Sequence, residues 1–484
     1  MNLDPVLEYT NYSKTHFDEG MSRAGFHRAH DREEWTGSLP HRSGPTEVTV
    51  TLPDRFPFVP PRAYPVDQDW AAWSWHRECD GAMCLVAEDD HEDLWWIEAD
   101  QFLNQVERWL IAADDNWKDD RTDLDIERYF AHSTDTALYV YGELGPFKGR
   151  NVRFTRSTNG VMILKGTGVL PTKHRASKKE RWGYVADLGA LTQPPRTWKD
   201  LAALLAPDAA REIEQRRVDT LVVTYLRGDV EGAALYRMSI GQGSQLVAHT
   251  LKSAPNTSES LRARSGRQAN LLSTKRVAVI GMGAVGSFTT DLLARAGVEQ
   301  LVLVDYDVLK PGNTVRHLLG KQYVGQLKTR AMRTHLINER GLQPELIETR
   351  EGDAVNADLI NDLIETCDLV IDASADFSVG QLTRAVAERH NNRFLMVGLQ
   401  NDGDTARTDV VPPYGKALPL PSSARPRSSS TPYFEAGCGS PISPTPPHSV
   451  VEAAAIACRH AVAMLVGQPL TEAGEVTELA GYRQ

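Results

Sequence analysis

Arg276-Val-Ala-Val-Ile280 followed by Gly281-Met-Gly283-Ala-Val-Gly286 reads as a buried strand, a glycine-rich turn and the start of a helix. Nucleotide-binding doubly wound folds use such turns because glycine lets backbone approach phosphate, and the following helix N-terminus offers unpaired N–H groups. The turn alone does not choose a nucleotide. The next strand, Leu301-Val-Leu-Val-Asp305, ends in a carboxylate placed to hold a ribose hydroxyl, which NAD and ATP sites both require. Asp307, Asn313, Arg316 and Lys328 follow at short spacing, and hydride transfer has no use for them. Reaction at the α-phosphorus of ATP does, because departing pyrophosphate calls for cations such as Arg316 and Lys328. It also calls for magnesium and hence an uncommitted carboxylate. Asp368-Leu-Val-Ile-Asp372-Ala-Ser-Ala-Asp376 puts candidates at the end of a later buried strand, where the ligand crevice of an open α/β sheet lies.

Residues 262 to about 466 thus resemble the ThiF/MoeB adenylyltransferase family, which includes the catalytic halves of ubiquitin-activating enzymes. The family pattern of Asp-x-Asp, Asn, Arg and Gly-x-x-Lys is matched by Asp305, Asp307, Asn313, Arg316 and Gly325-Gln-Leu-Lys328. The resemblance implies a Rossmann-like adenylation domain in which Asp305 holds ribose, Arg316 and Lys328 the phosphates and Asp376 the magnesium. Asn313 would position the α-phosphate. The family has a shorter step between its two aspartates, so Asp372 remains a rival to Asp376. Arg262, Arg264 and Arg267 precede the fold where homodimeric relatives lend an arginine to the partner's ATP; Arg267 is the candidate, and a homodimer is expected.

Length and composition suit a multidomain protein. The chain has 484 residues, room for about three domains. Charged residues make up 24% and hydrophobic ones 41%, and no apolar run approaches the roughly 18 residues that span a membrane. Met1-Asn-Leu-Asp-Pro5 is neither basic nor apolar, so a cytoplasmic protein without a membrane partner is expected. The net charge of -11 argues against a nucleic-acid partner, and the basic run Lys173–Arg181 reads as a solvated loop.

Five cysteines, Cys79, Cys84, Cys367, Cys438 and Cys458, make no disulfide framework and contain no Cys-x-x-Cys pair for zinc, unlike many bacterial members of the family. Cys367, entering a strand, and Cys458, in the helix from Val450, read as core positions. Cys438 differs, because it falls in a stretch from 411 to 447 rich in Pro, Ser and Gly that reads as a long loop. Activating enzymes carry a thioester-forming cysteine on a crossover loop at this place. The resemblance therefore implies that role for Cys438, against the plain reading of an incidental linker cysteine.

Toward the N-terminus, Val48-Thr-Val-Thr-Leu52 is followed by Phe56-Pro-Phe-Val-Pro-Pro-Arg-Ala-Tyr64 and Trp75-His76-Arg-Glu-Cys-Asp-Gly81-Ala-Met-Cys84-Leu85. A helix with Phe102, Val106, Trp109 and Leu110 on one face comes next. This order resembles the α+β ubiquitin-conjugating fold and implies Cys84 as the conjugating nucleophile. Eukaryotic members carry His-Pro-Asn before that cysteine, the Asn supporting the oxyanion or its loop. Here His76-Arg77-Glu78 stands in its place, so His76 is either catalytic or a structural residue of the loop, and an oxyanion donor is expected from His76, a backbone group or another side chain. The acidic run Glu88–Asp93 reads as a solvated loop.

From about 135 to 261, alternating strands such as Val152–Arg156 and Thr220–Arg227 flank a short helix at Trp198, with no catalytic constellation. The expected order is a conjugating-like domain over 1–132, an α+β spacer over 133–261 and an activating domain over 262–484. This is similar to fused bacterial enzymes of CBASS anti-phage operons, which attach the C-terminus of a cyclic-nucleotide synthase to other molecules. The resemblance implies ATP and magnesium as cofactors, and a substrate protein with a glycine-type C-terminal tail, either such a synthase or a ubiquitin-like protein. A target lysine would accept the tail. A sulfur-carrier activator and a non-catalytic tail-binding scaffold remain open, with a nicotinamide enzyme a distant further reading.

Overall fold

The computed structural model describes residues 4–42, 44–67, 73–86, 93–118, 124–168, 170, 179–215, 218–241, 243, 245–421, 433–434, 441–442 and 444–479. Contacts divide the chain into two compact units, 1–257 and 258–484. None of the described helices is long and apolar enough to cross a membrane.

In the first unit, α1 (Pro5–Arg23) begins at Asp4, whose Oδ1 accepts the Val6 N–H at 3.0 Å. The strands β1 (His27–Arg28), β2 (Glu34–Leu39), β3 (Thr46–Thr51) and β4 (Arg62–Pro65) form an antiparallel sheet in chain order. The helix α2 (Ala99–Asp114) buries Phe102, Val106, Trp109 and Leu110, the face that its spacing predicts. Phe17 of α1 meets Trp35, Phe56 and Phe102 with ring centroids no more than 6.0 Å apart. The two helices approach at Gly20, where a Cβ would lie 2.6 Å from that of Ala99.

A mixed sheet follows in the same unit. It is built from β5 (Tyr139–Tyr141), β6 (Arg150–Arg156), β7 (Met162–Thr167), β8 (Glu180–Ala190), β9 (Thr220–Arg227), β10 (Val230–Ile240), β11 (Leu246–Thr250) and β12 (Ser253–Pro255). The order is β11-β10-β9-β8-β6-β7-β5-β12. Between β8 and β9 lie α3 (Trp198–Leu204), started by a Thr197/Asp200 capping box, and α4 (Pro207–Glu214). β9 does not show the expected alternation, because both its faces are covered. Leu221, Val223 and Tyr225 pack with Leu201, Ala209 and Ile213 of α3 and α4, whereas Val222 packs with Val152, Phe154 and Leu235. Trp75, Ile126, Tyr129 and Phe130 belong to the first of these clusters, so the segment leading to Cys84 shares a core with the mixed sheet.

The second unit opens with α5 (Ser258–Arg262) and α6 (Ala269–Leu272), then alternates strand and helix: β13 (Arg276–Ile280), α7 (Ala284–Ala296), β14 (Gln300–Val304), α8 (Lys328–Arg340), β15 (Ile347–Arg350), α9 (Ala357–Thr366), β16 (Leu369–Asp372), α10 (Phe377–His390) and β17 (Phe394–Gln400). After β18 (Thr405–Val411) come the short pair β19 (Tyr433–Phe434) and β20 (Pro441–Ile442), then α11 (Pro447–Leu465) and β21 (Gly474–Glu478). The order β15-β14-β13-β16-β17-β18-β21 is parallel from β15 to β17, with β18 and β21 antiparallel. Strand order reverses between β13 and β16, the switch point at which a doubly wound sheet opens its crevice. Both faces are covered, which explains the continuous burial of Val277–Ile280 and Leu301–Val304. Residues from α7, α8 and α11 fill one core, and residues from α9 and α10 the other. Asp291, 3% exposed, ties α7 to α8 by accepting from Arg340 Nε at 2.6 Å and His335 Nε2 at 3.1 Å, and from Arg295 Nε at 2.7 Å. Cys438 lies outside the described residues, as do most of the acidic and basic runs.

Candidate nucleotide crevice and cysteine site

The three glycines of the turn do different work. A Cβ at Gly281, where φ is +86°, would sit 2.6 Å from Ser374 Cα, and one at Gly286 would sit 1.9 Å from Gly281 O. Packing within the protein requires both of these. At Gly283 a Cβ would meet nothing within 4 Å, and its φ of -79° is open to any residue. The glycine there leaves room above the start of α7. The first helical bond runs from Ser287 N to Gly283 O, so the N–H groups of residues 284–286 precede the ladder.

The turn is gripped from two sides at Met282. Its N–H donates to Asp305 Oδ2 at 2.7 Å, while Asp305 Oδ1 accepts the Asp307 N–H at 2.7 Å. The Met282 carbonyl accepts from His317 Nε2 at 2.9 Å, and His317 Nδ1 accepts the Leu319 N–H at 3.1 Å. This pairing fixes the Nε2–H tautomer, and burial of the ring lowers its pKa, keeping it neutral. Asp307 is turned away from the glycine turn that Asp305 holds. Its Oδ2 accepts from Lys328 Nζ at 2.6 Å. The Lys328 N–H also donates to Asp307 O at 3.0 Å, and a bridge between Val308 and Leu327 closes this clamp. Asn313 Oδ1 accepts the Lys310 N–H at 2.9 Å, starting the 3-10 turn Pro311–Val315 that leads to the half-buried Arg316.

The two aspartates after β16 are separated by burial. Asp372 is 2% exposed, and its Oδ1 accepts from the Ser374 N–H at 3.0 Å and the Ser374 hydroxyl at 2.6 Å. Burial raises its pKa. Asp376 is exposed and caps α10, with Oδ1 accepting the N–H groups of Ser378 at 2.7 Å and Val379 at 3.4 Å. The long step between them places Ala375 at φ +56°. Among the described residues, no group of three or more His, Cys, Asp or Glu side chains is arranged to hold a metal. Arg267 is exposed between α5 and α6, whereas Arg262 pairs with Glu299 at 3.1 Å.

At the other site, Arg77–Met83 is a small hairpin bridged at its ends and turned at Gly81, where φ is +88°. The Cys84 N–H donates to His76 O at 2.9 Å, and that carbonyl also accepts Trp109 Nε1 at 3.0 Å. The His76 imidazole stacks on Trp117, with ring centroids 3.7 Å apart. His76 thus meets Cys84 through its peptide carbonyl. Cys84 is half-buried, and Arg128 Nη1 lies 3.8 Å from its Sγ. Burial pushes the thiol up to about 11, opposed by the Arg128 charge and reinforced by Glu78. Cys458, buried in α11, is pushed up to about 12 by burial, as befits a core position.

Residues 258–473 match the model of the ThiF family. The second unit carries a ThiF-family domain. Among curated relatives, the uncharacterized protein y4oA of Sinorhizobium fredii is 29% identical over 44% of this chain and 37% of its own length. The ATP-dependent ubiquitin transferase-like protein Cap2 of Pseudomonas aeruginosa is 29% identical over 39% of this chain and 38% of its own. Ubiquitin-like modifier-activating enzyme 5 of Drosophila willistoni is 26% identical over 29% of this chain and 39% of its own. The matches thus span about two-fifths of each relative's length.

Two residues escaped the sequence reading. In the ThiF domain, His317 directly follows Arg316 and holds the glycine turn through Met282. Its position beside a named arginine was the only available signal. In the first unit, Arg128 reaches Cys84 across a sequence separation of 44. No spacing rule covers such a contact.

Proposed function

We propose that the protein activates the C-terminal carboxylate of a substrate protein with ATP and carries the acyl group on cysteine toward an amine. The observation that supports this most is the unfilled space at Gly283, directly over the start of α7 and with Asp305 tied to the preceding residue of the turn, Met282. Among the described residues, nothing requires glycine there.

On this reading, the turn and the N–H groups of residues 284–286 cradle phosphate, and Asp305, held by two backbone N–H groups, still has lone pairs for ribose hydroxyls. Arg316 and Lys328 offset charge on the leaving pyrophosphate, and Asn313 shapes the turn that presents Arg316. Asp376 fits magnesium: it is exposed, and its Oδ2 takes no partner among the described residues. Magnesium is commonly held by one or two carboxylates with phosphates completing its shell, and it would neutralise charge on the phosphates. Asp372, buried and bonded to Ser374, is better suited to holding the turn. Arg267 from a second copy would complete the site in a homodimer.

The substrate carboxylate attacks the α-phosphorus, and pyrophosphate leaves. Cys438 then displaces AMP to form a thioester, the acyl group moves to Cys84, and a lysine amine resolves it into an isopeptide. The relatives' names, a ubiquitin transferase-like protein and a modifier-activating enzyme, support a protein tail as substrate. A glycine-ended synthase or ubiquitin-like protein in anti-phage defence is the finer reading.

Non-reducing electrophoresis with ATP, magnesium and a candidate tail protein tests this sequence. A thiol-sensitive adduct that stays on Cys84→Ala and vanishes on Cys438→Ala supports the relay. Pyrophosphate release with no adduct on any variant reduces the activity to adenylation.

A further inference from the structure

We infer that Arg128 is the cation of the Cys84 site, stabilising both the thiolate and the oxyanion that forms when the acyl group arrives and leaves. The inference deepens the proposed function and rests on Cys84 being the acyl carrier.

Arg128 sits in a 3-10 turn, Ile126–Tyr129, that is anchored on the mixed sheet. Thr250 Oγ1 of β11 donates to Glu127 O at 2.9 Å, and Ile126 and Tyr129 lie in the core that contains Tyr225 and Tyr236. From there the guanidinium grips the turn before Cys84. Its Nη2 donates to Trp75 O and, at 2.7 Å, to the Tyr129 hydroxyl, which itself donates to Trp75 O at 2.8 Å. Its Nη1 faces Cys84 Sγ at 3.8 Å and Asp125 Oδ2 at 3.1 Å. Its Nε is buried and makes no hydrogen bond among the described residues. A planar fork with Nη2 committed to position and Nη1 set between the sulfur and Asp125 is a directed donor, in a way that a flexible lysine is not. Among the described residues, the charged groups acting on Cys84 are Arg128 from this turn and Glu78 from the hairpin, and they oppose each other.

In transfer, the Cys84 thiol gives up its proton and the thiolate adds to the carbonyl carbon of the incoming thioester, sending the π pair to oxygen. Collapse restores the carbonyl and expels the donor thiolate, which takes up a proton. Amine attack repeats the addition at the Cys84 thioester, now with Cys84 leaving as thiolate and the amine losing a proton. In both steps charge develops on the carbonyl oxygen and resides on Sγ, and a guanidinium at this distance stabilises each. Arg128 would thus supply what His76-Arg77-Glu78 lacks. The mixed sheet would serve to hold this arginine.

The test compares wild type with Arg128→Gln by two readouts. Alkylation of Cys84 by iodoacetamide is followed across pH by mass spectrometry of its peptide, and discharge of a preformed Cys84 thioester to free lysine is timed. Arg128→Gln is expected to slow alkylation at pH 8 by about tenfold, since an opposite charge this close shifts a pKa by one unit or more, and to slow discharge by at least as much. Unchanged alkylation and discharge overturn the inference. A wild-type protein that never forms a Cys84 thioester overturns the proposed relay instead, and alkylation alone then decides the role of Arg128. If Arg128→Gln loses its cooperative thermal transition, Asp125→Asn replaces it. Relieving the guanidinium of its counter-charge should then speed alkylation, and an unchanged or slower rate rejects the inference.

Discussion

Lys328 Nζ stands 2.6 Å from Asp307 Oδ2, the lysine side chain 11% exposed and the aspartate 41%. The pair fixes a cation at the first position of α8, on the crevice side of the sheet. Burial pushes the Asp307 carboxyl up, but the bond from Lys328 outweighs it, and the net pKa is lowered.

Lys328→Met should therefore cut ATP-dependent pyrophosphate release by about a hundredfold or more, the usual cost of losing one donor to developing charge. Asp307→Asn leaves the cation but loosens it and should cost about tenfold. Equal, small effects from both would remove Lys328 from the phosphates.

Gly283→Ala and Gly286→Ala should separate ligand binding from folding. The first adds a methyl where nothing in the protein stands within 4 Å, so the melting temperature should hold while ATP affinity falls. The second drives a methyl to 1.9 Å from Gly281 O and should destabilise the ThiF domain by about 2 kcal/mol or more. Calorimetry and ATP titration read both; undiminished ATP affinity in Gly283→Ala would contradict the proposed cradle.

Asp291 is the strongest electrostatic tie between α7 and α8. Burial pushes its carboxyl up, but bonds from His335, Arg340 and Arg295 hold it well below the usual carboxylate range. A depressed carboxylate contributes stability that is complete above its unfolded pKa of about 4 and is lost as pH falls further, through the folded value. Asp291→Ala should lower unfolding free energy by about 1.5–2 kcal/mol at pH 7, because it removes the buried acceptor of charge-assisted bonds from side chains that themselves keep some access to water. Its penalty should shrink below pH 4. A denaturant series at several pH values checks this, and a pH-independent penalty would point to packing instead.

Ala375 lies in the left-handed region at φ +56°, a conformation costly for any residue with a Cβ. Ala375→Gly should raise stability by about 0.5–1 kcal/mol after the entropy of the added glycine is counted. A denaturation midpoint below wild type would show that the methyl is held by contacts worth more than the strain.

Much of the ThiF domain was legible because it is written in local patterns. Continuous apolar runs at 276–280 and 301–304 mark strands covered on both faces, and Gly281 and Gly286 are the only residue type that their close approaches accept. The amphipathic face of α2 was equally plain. The double burial of β9 was not, since a short apolar run does not disclose how many layers will cover it. Nor did the sequence disclose that Trp75 would join the core of the following sheet.

Local sequence thus marked the strands at 276–280, 301–304 and 369–372, the helices that follow Gly283 and that carry Cys458, and the chemical types gathered at the strand ends, because steric demand at glycine and hydrophobic period act over a few residues. The tertiary structure decided which groups meet. It buried Asp372 and exposed Asp376, turned Asp307 to Lys328 and brought Arg128 to Cys84. Those outcomes depend on long-range packing and on which charges lose water, and neither is encoded in the spacing of neighbouring residues.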